Sequence, residues 1–416
     1  MTTLAILGGT PVRSEEYGPW PQHDEREVDA VAAVVRSGIW GGHPALAPQA
    51  ERFVRRFADY QGARHGTLMA NGTVTLEVAL KALGIGWGDE VIVPAVTFEA
   101  TYYACVAAGA LPVIVDVREE TLTIDPDQVE AAITDRTKAI IPVHLGHQMA
   151  DMDRIMEIAR GHGLAVVEDS AHAHGQQWSG SGAGCIGDFG SFSHQSTKSL
   201  TAGEGGTLLT QDEHLAELAT SIIDCGRPKD PDEKEYTFGA NYRLGELHAA
   251  LLLVQLDRFE EQRVERERAA RYFEERAPQI SGVRVMPADP RVTRWSFYQY
   301  IFAIDPEAFA GATNEIICRA LDAEGVPADT GFRSAGGAEL FNVFLSRLPA
   351  AVEYADRLDQ TRMSFPVADR ITRREQIFLD HPMFLSGTQG IDDVLEAVAK
   401  VQAEAGALMA SEVART

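Results

Sequence analysis

Short runs of apolar, β-favouring residues recur along the first half of the chain and limit what it can fold into. Most of these runs are continuously apolar, which is typical of strands covered on both faces. Helical patterns lie between them, so strand and helix alternate, and we predict a mostly parallel α/β sheet wound with helices. The predicted strands are residues 66–70, 90–97, 111–117, 139–145, 164–169, 190–194 and 207–210.

The clearest helical pattern follows the sequence Asn-Gly-Thr at 71–73. Its apolar residues fall at i, i+3, i+4 and i+7, and Gly84 then provides a stop. The segment 150–163 repeats this spacing, so both segments are predicted helices. The apolar positions are Leu76, Ala79, Leu80 and Leu83 in the first, and Met152, Ile155, Met156 and Ala159 in the second.

From about residue 241 the sequence no longer alternates short apolar runs with helical patterns. Residues 242–276 predict one long helix, and its dense charges indicate a solvated face rather than a binding tract. A strand is predicted at 296–304 and helices at 313–325 and 391–406. We therefore predict a large domain over residues 1–264 and a smaller α+β domain over residues 265–416. The last residues, 408–416, are expected to be a frayed tail.

Charge and cysteine content exclude several classes of function. The chain has 37 Lys and Arg against 61 Asp and Glu, a net charge of −24, which disfavours nucleic acid as a partner. Its four cysteines form no Cys-x-x-Cys pair and fit reduced thiols. No segment approaches the roughly 20 apolar residues of a membrane span. We expect a cytoplasmic protein without a membrane partner. The cysteines are Cys105, Cys185, Cys225 and Cys318.

Polar groups follow three of the predicted strands. They are the segment 71–73, Asp169 and Lys198. Ligands of an open parallel sheet gather beyond the carboxyl ends of its strands, so these groups are expected to converge. Asp169 and Lys198 are expected to follow neighbouring strands.

A cofactor such as pyridoxal phosphate needs the groups that converge here. An amine holds its aldehyde as a Schiff base, and a carboxylate keeps its ring nitrogen protonated. Lys198 and Asp169 provide these two groups. Backbone N–H groups at a helix start bind phosphate, which Gly72 and Thr73 offer. Phe98, at the end of another strand, is placed to cover the ring.

Each of these signals has a plainer meaning when taken alone. A lone lysine after a strand is usually a surface cation, an Asp at a strand end is commonly a turn or cap residue, and Gly-Thr before a helix is a common capping sequence. The hypothesis rests on their joint placement at the strand ends of one sheet.

The chain resembles the sugar aminotransferases of the DegT/DnrJ type, which are fold-type-I enzymes that use pyridoxal phosphate. The resemblance covers roughly residues 15–260 well and the rest loosely. It is carried by the segments "ANGTVTLEVALKALGIGWGDEVIVPAVTF", "TLTIDPDQVEAAITDRTKAIIPVHLGHQMADMD", "VVEDSAHAHG", "IGDFGSFSHQSTKSLTAGEGG" and "GANYRLGELHAALLLVQL".

The resemblance implies a role for each matching residue. Lys198 would hold the cofactor covalently, Asp169 would pair with the ring nitrogen, and His172 would lie beside the phenolic oxygen. Gly72, Thr73 and Ser193 would hold the phosphate, and Phe98 would stack on the ring. Asn241 would reach the phosphate bound by a neighbouring subunit, and Arg243 would face the substrate. A homodimer with shared active sites is therefore expected.

Two sets of segments indicate a branch of the family. Many members that act on nucleotide sugars have a "HYP" stretch in the small domain, whereas this chain reads "GVPADTGFRSAGGAELFNVF" at 325–344. The segments "WPQH" at 20–23, "GIWGG" at 38–42, "SLTAGEGG" at 199–206 and "DCGRPKD" at 224–230 resemble enzymes that aminate cyclitol ketones such as scyllo-inosose, and 3-amino-5-hydroxybenzoate synthase.

We expect an aminotransferase that moves an amino group from glutamine or glutamate to the ketone of a cyclitol or keto-sugar in secondary metabolism, such as aminoglycoside biosynthesis. An eliminating, aromatising enzyme like 3-amino-5-hydroxybenzoate synthase and a nucleotide-keto-sugar aminotransferase remain alternatives. Sugar 3-dehydratases of similar fold carry histidine where Lys198 stands, so the lysine favours transamination.

Two hypotheses from other classes compete with this one. The segment "EDSAHAHG" could bind a metal ion, although a strand followed by a turn need not bring its two histidines together. We therefore expect no metal site. The other alternative is a regulatory protein without catalytic activity. The sequence shows no DNA-binding helix pair, and its negative net charge disfavours binding to nucleic acid. The candidate metal ligands are Glu168, Asp169, His172 and His174.

Overall fold

The computed structural model describes residues 3–42, 47–228 and 237–415; the end of the 224–230 segment lies outside them. The strands are β1 His65–Met69, β2 Glu90–Pro94, β3 Leu111–Val115, β4 Thr137–Ile140, β5 Ala165–Asp169, β6 Gln177–Trp178, β7 Ser181–Gly182, β8 Phe189–Ser193, β9 Gly206–Thr210, β10 Val283–Val285, β11 Val292–Arg294, β12 Gln299–Ile304 and β13 Gln376–Asp380. The α-helices are α1 Glu25–Ser37, α2 Pro48–Gln61, α3 Gly72–Ala82, α4 Ala100–Ala108, α5 Pro126–Ala132, α6 Met152–His162, α7 Glu213–Ile223, α8 Glu246–Arg276, α9 Asn314–Ala323, α10 Pro349–Glu353, α11 Pro366–Arg374, α12 Gly387–Ala403 and α13 Ala405–Arg415.

Seven strands form the central sheet in the order β1-β9-β8-β5-β4-β2-β3. The pairs from β3 through β2, β4 and β5 to β8 are parallel, whereas β9 runs antiparallel to both β8 and β1. All seven predicted strands are present, and the prediction of a mostly parallel sheet is confirmed. Strands β2, β8 and β9 are buried along their whole length. The apolar run in β2 predicts this burial, whereas β8 contains Ser191 and Ser193 and is not continuously apolar.

The reversal at β9 has a local cause. Strands β8 and β9 are joined by residues 194–205, which contain no helix. A parallel crossover normally needs a helix-sized connection, so a short loop returns the chain antiparallel. This loop carries Lys198 and begins beside the carboxyl end of β5, because Asp169 is paired with Ser191 of β8. The prediction that Asp169 and Lys198 follow neighbouring strands is confirmed.

Helix α3 shows how the chain places a helix start at the sheet edge. The side chain of Asn71 accepts a hydrogen bond from the Val74 N–H at 3.0 Å and so caps the helix. Leu76, Ala79 and Leu80 are buried, as their spacing predicts. The start of α3 therefore lies directly after β1.

The second half contains a three-stranded antiparallel sheet, β10-β12-β13, with α9, α11 and α12 in the same part of the chain. Helix α8 runs unbroken through residues 264 and 265, and one apolar cluster includes Ile140 of the central sheet and Phe302 of β12. The division into domains at residue 265 stays a prediction. None of the helices in the described residues is long and apolar enough to cross a membrane.

The expectation of a frayed tail over the last residues of the chain is wrong. Residues 405–415 form α13, and Leu408 is 1% exposed within the apolar cluster. The apolar residues near this end therefore anchor a helix, because their burial outweighs the tendency of a chain end to fray.

Glu168 is a fully buried carboxylate that holds the loop after β7 in place. Its oxygens accept hydrogen bonds from the N–H groups of Gly184, Ile186 and Gly187 at 2.7–2.8 Å and lie 3.0 Å from Nε2 of His144. Nδ1 of His144 accepts the N–H of Ala150, so Nε2 carries the proton and donates to Glu168. This carboxylate thereby holds a loop and a pocket-lining histidine at once.

Glu168→Gln should lower the free energy of unfolding by about 2–4 kcal/mol, because an amide NH₂ would then face N–H donors in the interior. Urea denaturation followed by circular dichroism measures this. Glu157→Gln is the matched control: its ion pair with Arg154 is exposed, so stability should change by about 0.5 kcal/mol or less. Equal effects of the two changes would contradict a structural role for Glu168.

Candidate active site

A cavity of about 510 Å³ opens at the carboxyl ends of the central strands. Its walls come from the start of α3, the loop after β2, the end of β5 and the loop between β8 and β9, together with residues from the second half. Seven of the predicted site residues line this cavity. They are Gly72, Thr73, Phe98, Asp169, His172, Ser193 and Lys198.

Lys198 lies in the turn after β8, where its N–H donates to the Gln195 carbonyl at 2.9 Å. Its Nζ lies 3.9 Å from the centroid of the Tyr298 ring, close enough for a cation–π contact. Burial lowers the pKa of Lys198 to about 7, and the opposing effect of Asp169 does not restore it. Near neutral pH a large fraction of this amine is unprotonated, which an ordinary surface lysine is not.

Asp169 ends β5 and is 7% exposed. Thr101 Oγ1 donates to its Oδ2 at 2.9 Å, and the Ala171 N–H donates to its Oδ1 at 3.3 Å. Burial raises the pKa of Asp169, whereas the hydrogen bond from Thr101 and the charge of Lys198 lower it. The carboxylate is thus fixed in orientation and directed at the cavity.

His172 is buried and has its tautomer set by the backbone. The Gly146 N–H donates to Nδ1 at 3.1 Å, so the ring proton belongs on Nε2. Burial lowers the pKa of His172 well below its usual value, and the charge of Lys198 acts in the same direction. Its ring is stacked against Phe332 with centroids 5.8 Å apart. The residue is therefore a neutral imidazole with one N–H donor.

The start of α3 has the features of an anion site. Asn71 already satisfies the Val74 N–H, so the first-turn N–H groups of Gly72 and Thr73 remain available to a ligand. A Cβ added to Gly72 would lie 2.7 Å from Cβ of Ser193. Only glycine permits this close approach of α3 to β8, which brings the Ser193 hydroxyl to the helix start.

Aromatic side chains form one wall of the cavity. Phe98 follows β2 and is 47% exposed, with its ring 6.2 Å from that of Phe332. Tyr298 lies on the same side, 4.5 Å from the His172 ring between centroids. A flat ring can lie against such a wall.

Asn241 and Arg243 do not line this cavity. Both lie in a second pocket of about 430 Å³, next to Gly41, Gly42 and the start of α8. Arg243 forms an ion pair with Asp224. Within one chain the structure therefore does not bring these two predicted residues to Lys198.

The four candidate metal ligands also do not converge. Glu168 and Asp169 are consecutive in a strand and point to opposite faces. The Glu168 oxygens are taken by His144 and backbone N–H groups, while His174 packs among Phe192 and His194. Across residues 3–42, 47–228 and 237–415, no group of three or more His, Cys, Asp or Glu is arranged to hold a metal ion.

Several cavity residues were missed by the sequence reasoning. Tyr298 and Phe332 belong to the half of the chain where the resemblance is loose. Thr101, which does not line the cavity but donates to Asp169, lies in an ordinary helix start and was also missed. The aromatic pattern before β12 was a signal for Tyr298, but its direction depends on how the second sheet packs. The other missed lining residues include Thr97, His144, Gln195, Thr197 and Glu204.

The lowered pKa of Lys198 predicts a pH-dependent stability in the protein prepared without any aldehyde. Between pH 7 and 10.5 the unfolded chain holds a proton on this amine that the folded chain has lost, so stability rises with pH in that window. Relative to Lys198→Met, the free energy of unfolding should gain up to about 2 kcal/mol from pH 7 to 9. Parallel curves for the two proteins, from urea denaturation, would contradict the shift.

Known proteins match this chain along nearly its whole length. The model of the DegT/DnrJ/EryC1/StrS aminotransferase family matches residues 21–378. A Micromonospora echinospora protein, provisionally named L-glutamine:3-amino-2,3-dideoxy-scyllo-inosose aminotransferase, is 40% identical, covering 98% of this chain and 99% of the relative. The L-glutamine:scyllo-inosose aminotransferase of Streptomyces griseus is 35% identical, covering 96% and 97%.

The crystal structure of 3-amino-5-hydroxybenzoic acid synthase superposes with a TM-score of 0.82 at 34% identity, covering 95% of this chain and all of that one. The predicted fold-type-I architecture, the aminotransferase activity and the branch indicated by the short segments are therefore confirmed. The chain belongs to the DegT/DnrJ/EryC1/StrS aminotransferase family.

Proposed function

We propose that the protein binds pyridoxal phosphate at Lys198 and transfers the amino group of glutamine or glutamate to the ketone of a cyclitol of the scyllo-inosose class. The observation that carries this proposal is a partly buried lysine with a pKa of about 7 in one cavity with Asp169. An amine in that state can attack an aldehyde without first losing a proton.

The residues around the cavity fit the cofactor group by group. The N–H groups at the start of α3 and the Ser193 hydroxyl suit a phosphate. Asp169 suits a protonated ring nitrogen, and Nε2–H of His172 suits a phenolic oxygen. The wall that includes Phe98 suits a flat ring. No metal is required by this set.

When bound, pyridoxal phosphate supplies an electron sink that makes the α-hydrogen of an amino acid acidic. Once the amine of the donor has displaced Nζ of Lys198 from the cofactor, the freed Nζ would be the base that takes the proton from the α-carbon of the donor and delivers it to the cofactor carbon on the other side of the donor nitrogen. A pKa near neutrality suits both directions of that transfer. The Tyr298 ring stabilises the ammonium form between the two steps.

The substrate class follows from the relatives and from the cavity wall. Two relatives that match nearly the whole chain are named for glutamine and inosose ketones. Phe332, from the unusual 325–344 segment, closes one side of the cavity with an aromatic ring. Gln195, Thr197 and Glu204 add polar groups that suit the hydroxyls of a polyhydroxylated ring.

A homodimer with shared active sites is part of the proposal. Asn241 and Arg243 lie at their own surface pocket, near the exposed side chains of Ile39 and Trp40. Exposed apolar side chains next to polar side chains in a surface pocket are typical of an interface between subunits. A second copy would bring its Asn241 to the phosphate and its Arg243 to the substrate.

The cellular setting proposed is the cytoplasm. The four cysteines, two of them buried, carry free thiols, which suits a reducing compartment.

Lys198→Ala should abolish turnover of scyllo-inosose or its amino-dideoxy derivative with glutamine, and Asp169→Ala should lower kcat/KM by several orders of magnitude. Product formation is measured by mass spectrometry. Binding of the cofactor is followed separately by visible absorbance, which Lys198→Ala should alter before any substrate is added.

Lys138→Ala and Asp127→Ala are matched controls, because both side chains are exposed and remote from the cavity. Near-normal turnover in either site variant would overturn the assignment. Product that is dehydrated and aromatic, with no net amino transfer, would instead favour an activity like that of the 3-amino-5-hydroxybenzoate synthase structure.

Mixed dimers test the shared site. Lys198→Ala chains co-expressed with Arg243→Ala chains should recover activity, because one site in each mixed dimer then has both intact residues. Random pairing gives about one intact site in four. Mixing Lys198→Ala with Asp169→Ala should recover nothing, since both residues belong to the same cavity of one chain. Equal activities of the two mixtures would refute the sharing.

A further inference from the structure

Arg266 is a fully buried guanidinium without a counter-charge. It lies on α8, and its Nη2 donates to Oε1 of Gln262 at 3.3 Å. Its Nε and Nη1 have no hydrogen-bond partner, and no carboxylate lies within ion-pair distance among the described residues. The neighbouring arginines on the same helix are all paired: Arg263 with Glu260 and Glu267, Arg268 with Glu265, and Arg271 with Glu267.

More unpartnered N–H groups surround Arg266. Its guanidinium carbon lies 5.4 Å from the Trp20 ring and 5.9 Å from the Phe259 ring. The indole nitrogen of Trp20 is buried without a hydrogen bond. The His174 ring is 6.5 Å from the Phe259 ring, and neither of its nitrogens makes a hydrogen bond of normal geometry. The guanidinium of Arg266 and the indole of Trp20 are therefore neighbouring buried donors, and Phe259 lies next to both Arg266 and His174.

The charge of Arg266 cannot be removed by deprotonation. Burial lowers its pKa to about 9, and the Tyr60 phenol opposes this, so the guanidinium stays charged at neutral pH. Burial lowers the pKa of His174 well below its usual value, with the charges of His194, Lys198 and Arg266 acting in the same direction. Water molecules could satisfy the N–H groups, but they do not balance a buried charge.

We propose that Arg266 and Trp20 bind one small monovalent anion of halide type in the interior of the protein. A guanidinium edge and an indole N–H both donate and neither can accept, which selects an anion over a cation. Arg266 is 0% exposed, so a ligand at its guanidinium must be small. A single negative charge balances the single guanidinium.

This site lies behind the loop of Lys198 and not in the cavity above it. Neither Arg266 nor Trp20 lines the 510 Å³ cavity. His381 links the two regions: its ring meets that of Trp20 at 4.4 Å between centroids, and its Nε2 donates to the Thr197 carbonyl at 3.0 Å. The anion therefore requires neither the proposed cofactor nor the substrate.

Crystals of the purified full-length protein grown or soaked in sodium bromide test the proposal directly. Bromine gives an anomalous signal, so a peak within hydrogen-bond reach of the Arg266 guanidinium is the expected result. An anomalous map without a peak there, with ordered water at the guanidinium, would overturn the proposal. This measurement needs no variant and no enzymatic activity.

A solution measurement uses a matched pair of arginines on α8. The unfolding temperature of the wild type should rise by about 3 °C in sodium bromide relative to sodium gluconate at equal ionic strength, because gluconate is too large to enter. Arg268→Met, an exposed and paired position, should keep this difference. Arg266→Met should lose it while folding normally, since an apolar side chain replaces an unbalanced charge.

The two arginine variants separate binding at one interior site from a general effect of salt on stability. A bromide effect of equal size in both variants would assign it to the salt as a whole and contradict the site. If Arg266→Met does not fold, the anomalous map of the wild type decides alone. Failure of the proposed transamination leaves both readouts unchanged, because neither depends on Lys198 chemistry.

Discussion

The electrostatic balance between Lys198 and Asp169 is the constraint on which the site depends. Burial favours the neutral form of each group, while each favours the charged form of the other. The pKa values of both groups are shifted towards their neutral forms, but hydrogen bonds from Thr101 and the Ala171 backbone favour the carboxylate of Asp169. The carboxylate thus has fixed donors, whereas the lysine has an aromatic face and remains free to gain or lose its proton.

Two adjacent residues of β5 have different tasks in the site. Glu168 faces the interior and is saturated by three backbone N–H groups and His144, and Asp169 faces the cavity. Alternation along a β-strand makes that division automatic. The same strand therefore fixes the loop behind the site and presents the carboxylate in front of it, so a change at Glu168 reaches the cavity through His144.

Sequence reasoning recovered the parts of the site that depend on local order. The apolar runs located the strands, and the carboxyl ends of parallel strands meet at one edge, so five of the seven cavity residues could be placed together from the sequence pattern. The other two, His172 and Ser193, came from the family resemblance. Tyr298 and Phe332 could not be placed, because their positions depend on how the second sheet packs against the first. Asn241 and Arg243 lie in another pocket of the same chain, and their roles stay predictions that need a second copy.

The net charge of the whole chain does not show how charged and basic groups are distributed in the interior. The chain carries a net charge of −24, yet the region behind Lys198 contains Arg266 and the imidazoles of His174, His194 and His381. Each of these basic groups is buried, and burial or mutual repulsion lowers their pKa values. Among these groups Arg266 keeps its charge at neutral pH, and this positive charge attracts anions. An interior anion would balance the charge of Arg266, which lowers the pKa of His174 and His381, so its occupancy would raise both pKa values and couple the ionic environment to the imidazoles behind the lysine loop.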